Sequence, residues 1–251
     1  MNNIERNYFR ERFLAGVKER RQKMDYEPLQ IDFYLSAPIS LTFPWMFFDS
    51  LVGELLLRDA LRQDYYILPT KFPFSRIVKT EELPQFPIRQ KDDLYFSSVS
   101  ILDVDSKYLE ILYKKFEDKW ADYKRKIQKG SGYFRDFMIQ SIYIPATKVT
   151  FYVNGDRETL EKICGLVVGL GDNTRVGWGA VRKYAIKPIK EDWSLVKDGV
   201  AMRPIPIEFC KEYEEAQLLA WRPPYWEASH VSLCVPPFRK CVLREEFASG
   251  L

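Results

Sequence analysis

The chain has 251 residues, 46% of them apolar and 29% charged, with a formal net charge of +3. That is enough apolar material to bury one large core or two small ones. No run of about 18 apolar residues offers a membrane span, and the charged start (Arg6, Arg10, Glu11, Arg12) is unlike a secretory signal.

Residues 1–27 read as a charged helix outside the core, with Phe9, Phe13 and Val17 on a narrow stripe at a spacing of four. In 29–35, Leu29, Ile31, Phe33 and Leu35 alternate with Gln30, Asp32 and Tyr34, the pattern of a strand with one buried face. A proline-punctuated loop over 37–44 leads into 45–62, a helix apolar around most of its surface. Pro69, Pro73, Pro84 and Pro87 break up the next region, where 94–102 is the best strand candidate.

Residues 105–128 predict a long helix. Leu109, Leu112, Phe116, Trp120, Tyr123 and Ile127 form one stripe, lysines fill the other side, and Gly130-Ser131-Gly132 ends it. Strand character resumes over 142–153, where Val149, Phe151 and Val153 alternate. Asp156 is placed to N-cap a helix over 157–168, with Glu158 in its first turn and Leu160, Ile163, Cys164, Val167 and Val168 on its sheet-facing side. A glycine-rich loop and a strand over 177–186 follow.

With the inserted segment set aside, the order is β-α-β-β-α-β, the split βαβ arrangement of ferredoxin-like and RRM-like folds. The predicted class is therefore α+β, in three parts. These are an N-terminal helical extension (1–28), a ferredoxin-like core (29–188) with a helical basic insertion (105–141), and an irregular C-terminal extension (189–251).

Charge is unevenly spread. Residues 107–135 hold nine Lys or Arg against four Asp or Glu, while the rest of the chain is slightly acidic. A local basic patch on a balanced body is the footprint of a phosphate-binding surface, although a merely solvated helix face gives the same count. Within it, Lys124, Arg125, Lys126 and Lys129 lead into Tyr133-Phe134-Arg135, pairing cations for phosphates with rings for unpaired bases. The two rings suit a hydrophobic plug equally well. Trp120 and Trp178 fit packing roles better.

The sharpest motif is 169–179, Gly-Leu-Gly-Asp-Asn-Thr-Arg-Val-Gly-Trp-Gly, or G-h-G-x5-G-h-G with h apolar. Four of the chain's 12 glycines fall in it. Glycine admits positive φ and close approach of a neighbouring backbone, and successive bare amides make an anion-binding nest. Gly169, Gly171, Asn173, Thr174, Gly177 and Gly179 would supply that nest, and Arg175 at the tip would add a bidentate phosphate contact. The loop is neither a Walker loop nor a dinucleotide fingerprint, because its glycines follow a helix and precede a strand. A tight helix-to-strand turn is the plain structural alternative.

This loop, at this place in the element order, resembles that of the RAMP superfamily of CRISPR proteins over roughly 29–188, where it lies against guide RNA. Ala37-Pro38 to Pro44-Trp45, Phe48-Asp49-Ser50-Leu51, Asp192-Trp193-Ser194-Leu195-Val196, Asp198-Gly199, Met202-Arg203-Pro204-Ile205-Pro206 and Arg222-Pro223-Pro224-Tyr225-Trp226 narrow it. These segments resemble the small subunit of type IV CRISPR effector complexes. The resemblance implies a non-catalytic subunit that binds the 5′ handle of the guide RNA. Its implied partners are guide RNA, a backbone RAMP, a large subunit and a separate RNA-processing enzyme, with target DNA left open. It also implies that the 105–141 insertion projects as a thumb.

In the C-terminal extension Arg222, Tyr225, Trp226 and His230 cluster, as a second RNA contact or as packing, with Trp226 assigned to packing. Cys164, Cys210, Cys234 and Cys241 are spread out, which fits free buried thiols in a reducing cytoplasm. A Cys3His zinc site from Cys210, His230, Cys234 and Cys241 lacks the usual C-x2-C pair, so no metal or cofactor is expected. A metal-independent endoribonuclease is the main competing function. His230 is the only histidine and lies beyond the core, so Tyr or Lys would have to share the acid–base work. An RRM-like binder unrelated to CRISPR is the third reading.

Overall fold

The structure, a computed structural model, describes residues 3–18, 23–67, 85–115 and 136–248. In chain order, helix α1 (Asn3–Lys18) precedes strand β1 (Tyr26–Leu35), and helix α2 (Phe48–Leu61) runs into a 3₁₀ turn, Arg62–Ile67. Short strands β2 (Gln90–Lys91), β3 (Leu94–Tyr95) and β4 (Ile101–Leu102) follow, then β5 (Tyr108–Lys114) and β6 (Phe137–Tyr143). Next come β7 (Lys148–Asp156), α3 (Arg157–Cys164) and β8 (Val181–Pro188). The remainder holds β9 (Val196–Lys197), β10 (Val200–Ala201), β11 (Ile205–Pro206), β12 (Cys210–Tyr213), β13 (Gln217–Ala220), β14 (Val231–Val235), β15 (Cys241–Leu243) and α4 (Glu245–Ala248). No helix among the described residues is long and apolar enough to cross a membrane.

The main sheet has the order β4-β7-β1-β8, with every neighbour antiparallel. Alternation along β1 sends Leu29, Ile31, Phe33 and Leu35 to one face, where they meet Val149, Phe151 and Val153 of β7. Helices α2 and α3 cover that face through Phe48, Val52, Leu55, Leu160 and Ile163. Each such side chain contributes about 1.5–3 kcal/mol when taken out of water. The result is a mixed α/β body on a wholly antiparallel main sheet. Asp156 caps α3 as its position predicts, its carboxylate accepting from the Thr159 amide at 3.0 Å. The helix stops at Cys164 rather than 168, because Gly165 and the β-branched Val167 and Val168 weaken its last turn. Val168 is exposed.

Three expectations are corrected. The inserted segment is not helical where it is described: β5 and β6 pair as an antiparallel hairpin from Tyr108↔Tyr143 to Lys114↔Phe137. Its helical stripe at 109 and 112 is overridden by strand-forming Tyr108, Ile111 and Tyr113, which find cross-strand partners. The strand expected over 94–102 is broken. Its segment pairs in turn with 90–91, with Val153 through Ser97, and with Thr150 and Val149 through β4.

The C-terminal extension is not irregular either. Its strands form a three-stranded sheet (β11-β14-β13) and two two-stranded pairs, β9 with β10 and β12 with β15. They enclose a second core of Leu195, Ile205, Trp221, Val235, Leu243 and Phe247 that also takes in Leu94 and Phe96. Helix α1 has a packing role as well, since Phe9 and Phe13 bury against Ala60 and Leu61 of α2.

Candidate nucleic-acid interface

The glycine loop joins α3 to β8, and its two ends are zipped together. Gly169 bridges Ala180, the Leu170 amide donates to the Gly179 carbonyl at 2.9 Å, and Val181 donates to Val168 at 3.0 Å. The loop is also sewn to the segment after β1. The Gly179 amide donates to Pro38 and the Asp172 amide to Ser40, both at 2.7 Å, while the Asp172 carboxylate accepts from the Thr42 amide.

The glycines therefore answer first to the protein's own backbone. A Cβ on Gly179 would lie 1.9 Å from the Leu170 oxygen, and one on Gly171 would lie 2.5 Å from the Ser40 oxygen. The expectation of bare amides fails at Leu170, Asp172 and Gly179. It fails also at Val176 and Gly177, which close the 3₁₀ turn Thr174–Val176 onto Asn173 and Thr174.

The tip remains open to solvent. Asn173 takes the left-handed conformation at φ 58°, and Thr174, Arg175 and Val176 are exposed. Gly177 lies at φ 99°, and a Cβ there would meet nothing within 4 Å. Arg175 has no ion-pair partner among the described residues, so its guanidinium is presented outward. Trp178 is half-buried rather than in the core. Its ring lies 5.1 Å from Tyr143, which stacks in turn on Tyr108 at 5.6 Å. This column of three rings ties the loop to the foot of the β5–β6 hairpin. The hairpin's face carrying Leu109, Ile111, Tyr113, Met138 and Ile142 is exposed and free of charge.

Between the loop and residues 41–54 lies a groove of about 350 Å³, walled by Phe43, Trp45, Met46 and Leu170. Its only charged lining residues are Glu54 and Asp172, so it is not a phosphate site. Of the other residues picked out in the sequence, Lys124, Arg125, Lys126, Lys129, Tyr133, Phe134 and Arg135 lie outside the described residues. Arg222 is engaged elsewhere, paired with Asp93 and set over the Trp221 ring at 5.2 Å. Trp226 is 81% exposed, against its assignment to packing.

All four cysteines are free and buried, with the Cys210 and Cys241 sulfurs 3.4 Å apart. His230 Nδ1 lies 3.2 Å from the Pro224 carbonyl. Among the described residues, no group of three or more His, Cys, Asp or Glu is placed to hold a metal ion.

One signal was passed over in the sequence. Between Asn173 and Lys190 there are five cations (Arg175, Arg182, Lys183, Lys187 and Lys190) and no Asp or Glu. Four of them lie on or just past β8, an edge strand of the main sheet.

No curated protein is similar in sequence at a significant level. Among solved structures, a chain of type III-B Cmr-beta bound to cognate target RNA, seen by cryo-EM, is similar at 13% identity and a TM-score of 0.37. The likeness covers 74% of this chain and 67% of that one. The family described as CRISPR type IV associated protein Csf3 matches residues 74–237, well over half of the sequence, which takes in the broken strand, the hairpin, the glycine loop and most of the second core. The chain belongs to that type IV CRISPR-associated family.

Proposed function

We propose that this chain is a non-catalytic RAMP subunit of a CRISPR ribonucleoprotein effector, which grips the 5′ handle of the guide RNA and helps to assemble the complex. The sheet and its two covering helices are taken as the ferredoxin-like RAMP core of 29–188. Residues 1–28 and 189–251 extend it, and 105–141 forms its projecting insertion. Its partners are guide RNA, a backbone RAMP and a large subunit, in the cytoplasm, with contact to target DNA left open.

The observation that carries this reading is the loop itself. The G-h-G-x5-G-h-G segment is held rigid at both ends by the protein's own hydrogen bonds, while Asn173–Gly177 and the Arg175 guanidinium stand free in solvent. With the loop backbone already fixed, only the tip side chains remain to be ordered on meeting a phosphate. Family membership supplies the CRISPR setting.

The test is binding of a labelled repeat-derived RNA to the full chain across a salt series. Arg175→Ala should lower the slope of log affinity against log salt by about 0.7, one single-strand phosphate contact. Wild-type slope in that variant would remove the tip from the interface. The same RNA incubated in EDTA should stay intact; specific cleavage abolished by His230→Ala would make the protein an endoribonuclease instead.

A further inference from the structure

Two cations of β8, Lys183 and Lys187, lie on the face of the main sheet that the helices do not cover. The register puts Lys183 of β8, Tyr34 of β1 and Lys148 of β7 in one row across three strands, on the face opposite Leu29, Ile31 and Phe33. Lys183 Nζ sits 4.6 Å over the Tyr34 ring, so the ring, and not a carboxylate, fixes that ammonium in place. Lys187 is four residues on, on the same face, about 13 Å further along the strand. Its charge is partly shared, because Nζ lies 3.9 Å from the buried Asp32 carboxylate.

Asp32 is the acid at the centre of this face. It is already occupied by Thr150 Oγ1 at 2.7 Å and by Gln30 Nε2 at 3.0 Å. Arg182 points to the other side of the strand, and Lys190 follows the strand end, where Ile189 still bonds to Pro28 at 3.0 Å. Arg182, Lys183, Lys187 and Lys190 are all exposed. Because β8 starts two residues after Gly179, the row begins where the loop ends.

Resting on the function proposed above, we infer that the guide RNA does not stop at the loop tip. It continues as a single strand along the outer edge of β8, its phosphates met by Lys183 and Lys187 from one face, by Arg182 from the other and by Lys190 past the strand end. Lys183 contributes most, since its partner is a ring that leaves the full positive charge available. Lys187 contributes less, since Asp32 takes part of its field. The competing explanation is that charged side chains on an edge strand merely prevent sheets from joining edge to edge.

The experiment uses the full chain and a fluorescein-labelled, unstructured 30-nucleotide RNA over a salt series, with wild type, Arg175→Ala and a quadruple variant (Arg182→Gln, Lys183→Gln, Lys187→Gln, Lys190→Gln). If roughly three of the four contacts are made, the quadruple variant's salt slope falls by about 2 and its affinity drops roughly tenfold or more at moderate salt. Lys183→Gln alone should lower affinity more than Lys187→Gln. Photo-crosslinking of 4-thiouridine RNA to the wild-type chain should label the peptide spanning 181–190, a readout that does not depend on any variant folding.

Wild-type slope in the quadruple variant, or a crosslink confined to other peptides, overturns the track. So does self-association of the quadruple variant with RNA binding intact. If Arg175→Ala weakens binding and the quadruple variant does not, the loop reading stands and the track falls. The reverse pattern keeps the track and removes the loop, and a wild-type chain that binds no RNA ends both.

Discussion

The Arg203 guanidinium and the Asp49 carboxylate meet at 3.3 Å with both side chains wholly buried, joining the first turn of α2 to the C-terminal region 154 residues away. Tyr225 closes the triangle, donating to Asp49 at 2.6 Å while Arg203 reaches its oxygen at 3.0 Å. The terminal NH groups also donate to the carbonyls of Tyr95, Ser97 and Trp221, while the buried Nε–H has no partner among the described residues. Burial alone would make Arg203 easier to deprotonate, but Tyr225 and Asp49 outweigh it and raise its pKa above the ordinary value. Burial likewise pushes the Tyr225 hydroxyl upward.

Arg203→Met should therefore destabilise the protein by about 3–5 kcal/mol, because it strands a buried carboxylate and three carbonyls. The double variant Asp49→Leu with Arg203→Met should lose less than the two single losses combined, since no lone charge is left. Urea denaturation of the four proteins measures this; strictly additive losses would mean that the two residues do not act as a pair.

Two glycines of the same loop should respond to very different degrees. Gly179→Ala drives a methyl into the Leu170 carbonyl, with φ at +60°, and should cost on the order of 3 kcal/mol or more in thermal or urea unfolding. Gly177→Ala meets nothing and carries only the strain of a left-handed residue, about 1–2 kcal/mol. Gly177→Val, still folded, should weaken RNA binding by more than its stability loss explains. Equal stability losses at 177 and 179 would contradict the zipped geometry.

Asp103 closes the neck of the inserted hairpin by accepting from the Thr147 amide at 3.0 Å and from the Thr147 hydroxyl. Partial burial works to raise its pKa, but the bonds from Thr147 and nearby amides prevail and hold it below the usual carboxylate value. A carboxyl depressed by folding adds stability above its unfolded pKa of about 4 and loses it as pH falls through the lower folded value. Asp103→Asn should remove that contribution at neutral pH and flatten the acid side of the stability curve. An unchanged curve between roughly pH 2 and 5 would show that the neck does not depend on this charge.

Cys210 and Cys241 should be selectively linkable. The hydrogen bond from Cys241, assisted by Arg244, lowers the pKa of Cys210 against the effect of burial, and the acceptor role of Cys210 raises that of Cys241. With diamide as oxidant, the two thiols give up two electrons and two protons to the N=N bond and form one disulfide, which dithiothreitol reverses. Peptide mapping should show 210 joined to 241 with Cys164 and Cys234 still alkylatable. A linkage involving Cys164 or Cys234 would contradict the placement.

Much of the core was legible because its period is local. Alternation in 29–35 and 149–153 marks the two central strands, and Asp156 marks the start of α3 at the residue where it caps. The hairpin was missed because Leu109 and Leu112 satisfy a helical spacing, while what decides the matter is a partner strand 25 or more residues away. The second core was invisible for a different reason. Its strands are two to five residues long and interrupted by Pro204, Pro206, Pro223 and Pro236, too short for any period to register.

The glycine motif was found, but its first duty was misjudged, since Gly171 and Gly179 make room for Ser40 and Leu170. The cations of β8 were overlooked because single lysines spaced along a strand look ordinary until the absence of any acid over 173–190 is noticed.

Leu94 and Phe96 sit in the second core, while their neighbours Ser97, Ile101 and Leu102 pair with β7 of the main sheet. As the chain leaves the ribosome, this short stretch is made about a hundred residues before Leu195, and longer still before Trp221 and Phe247, the groups that cover it. The nascent protein must therefore carry two large apolar side chains without their second-core partners until that later stretch has been synthesised. In a chain cut short before it, they would stay bare.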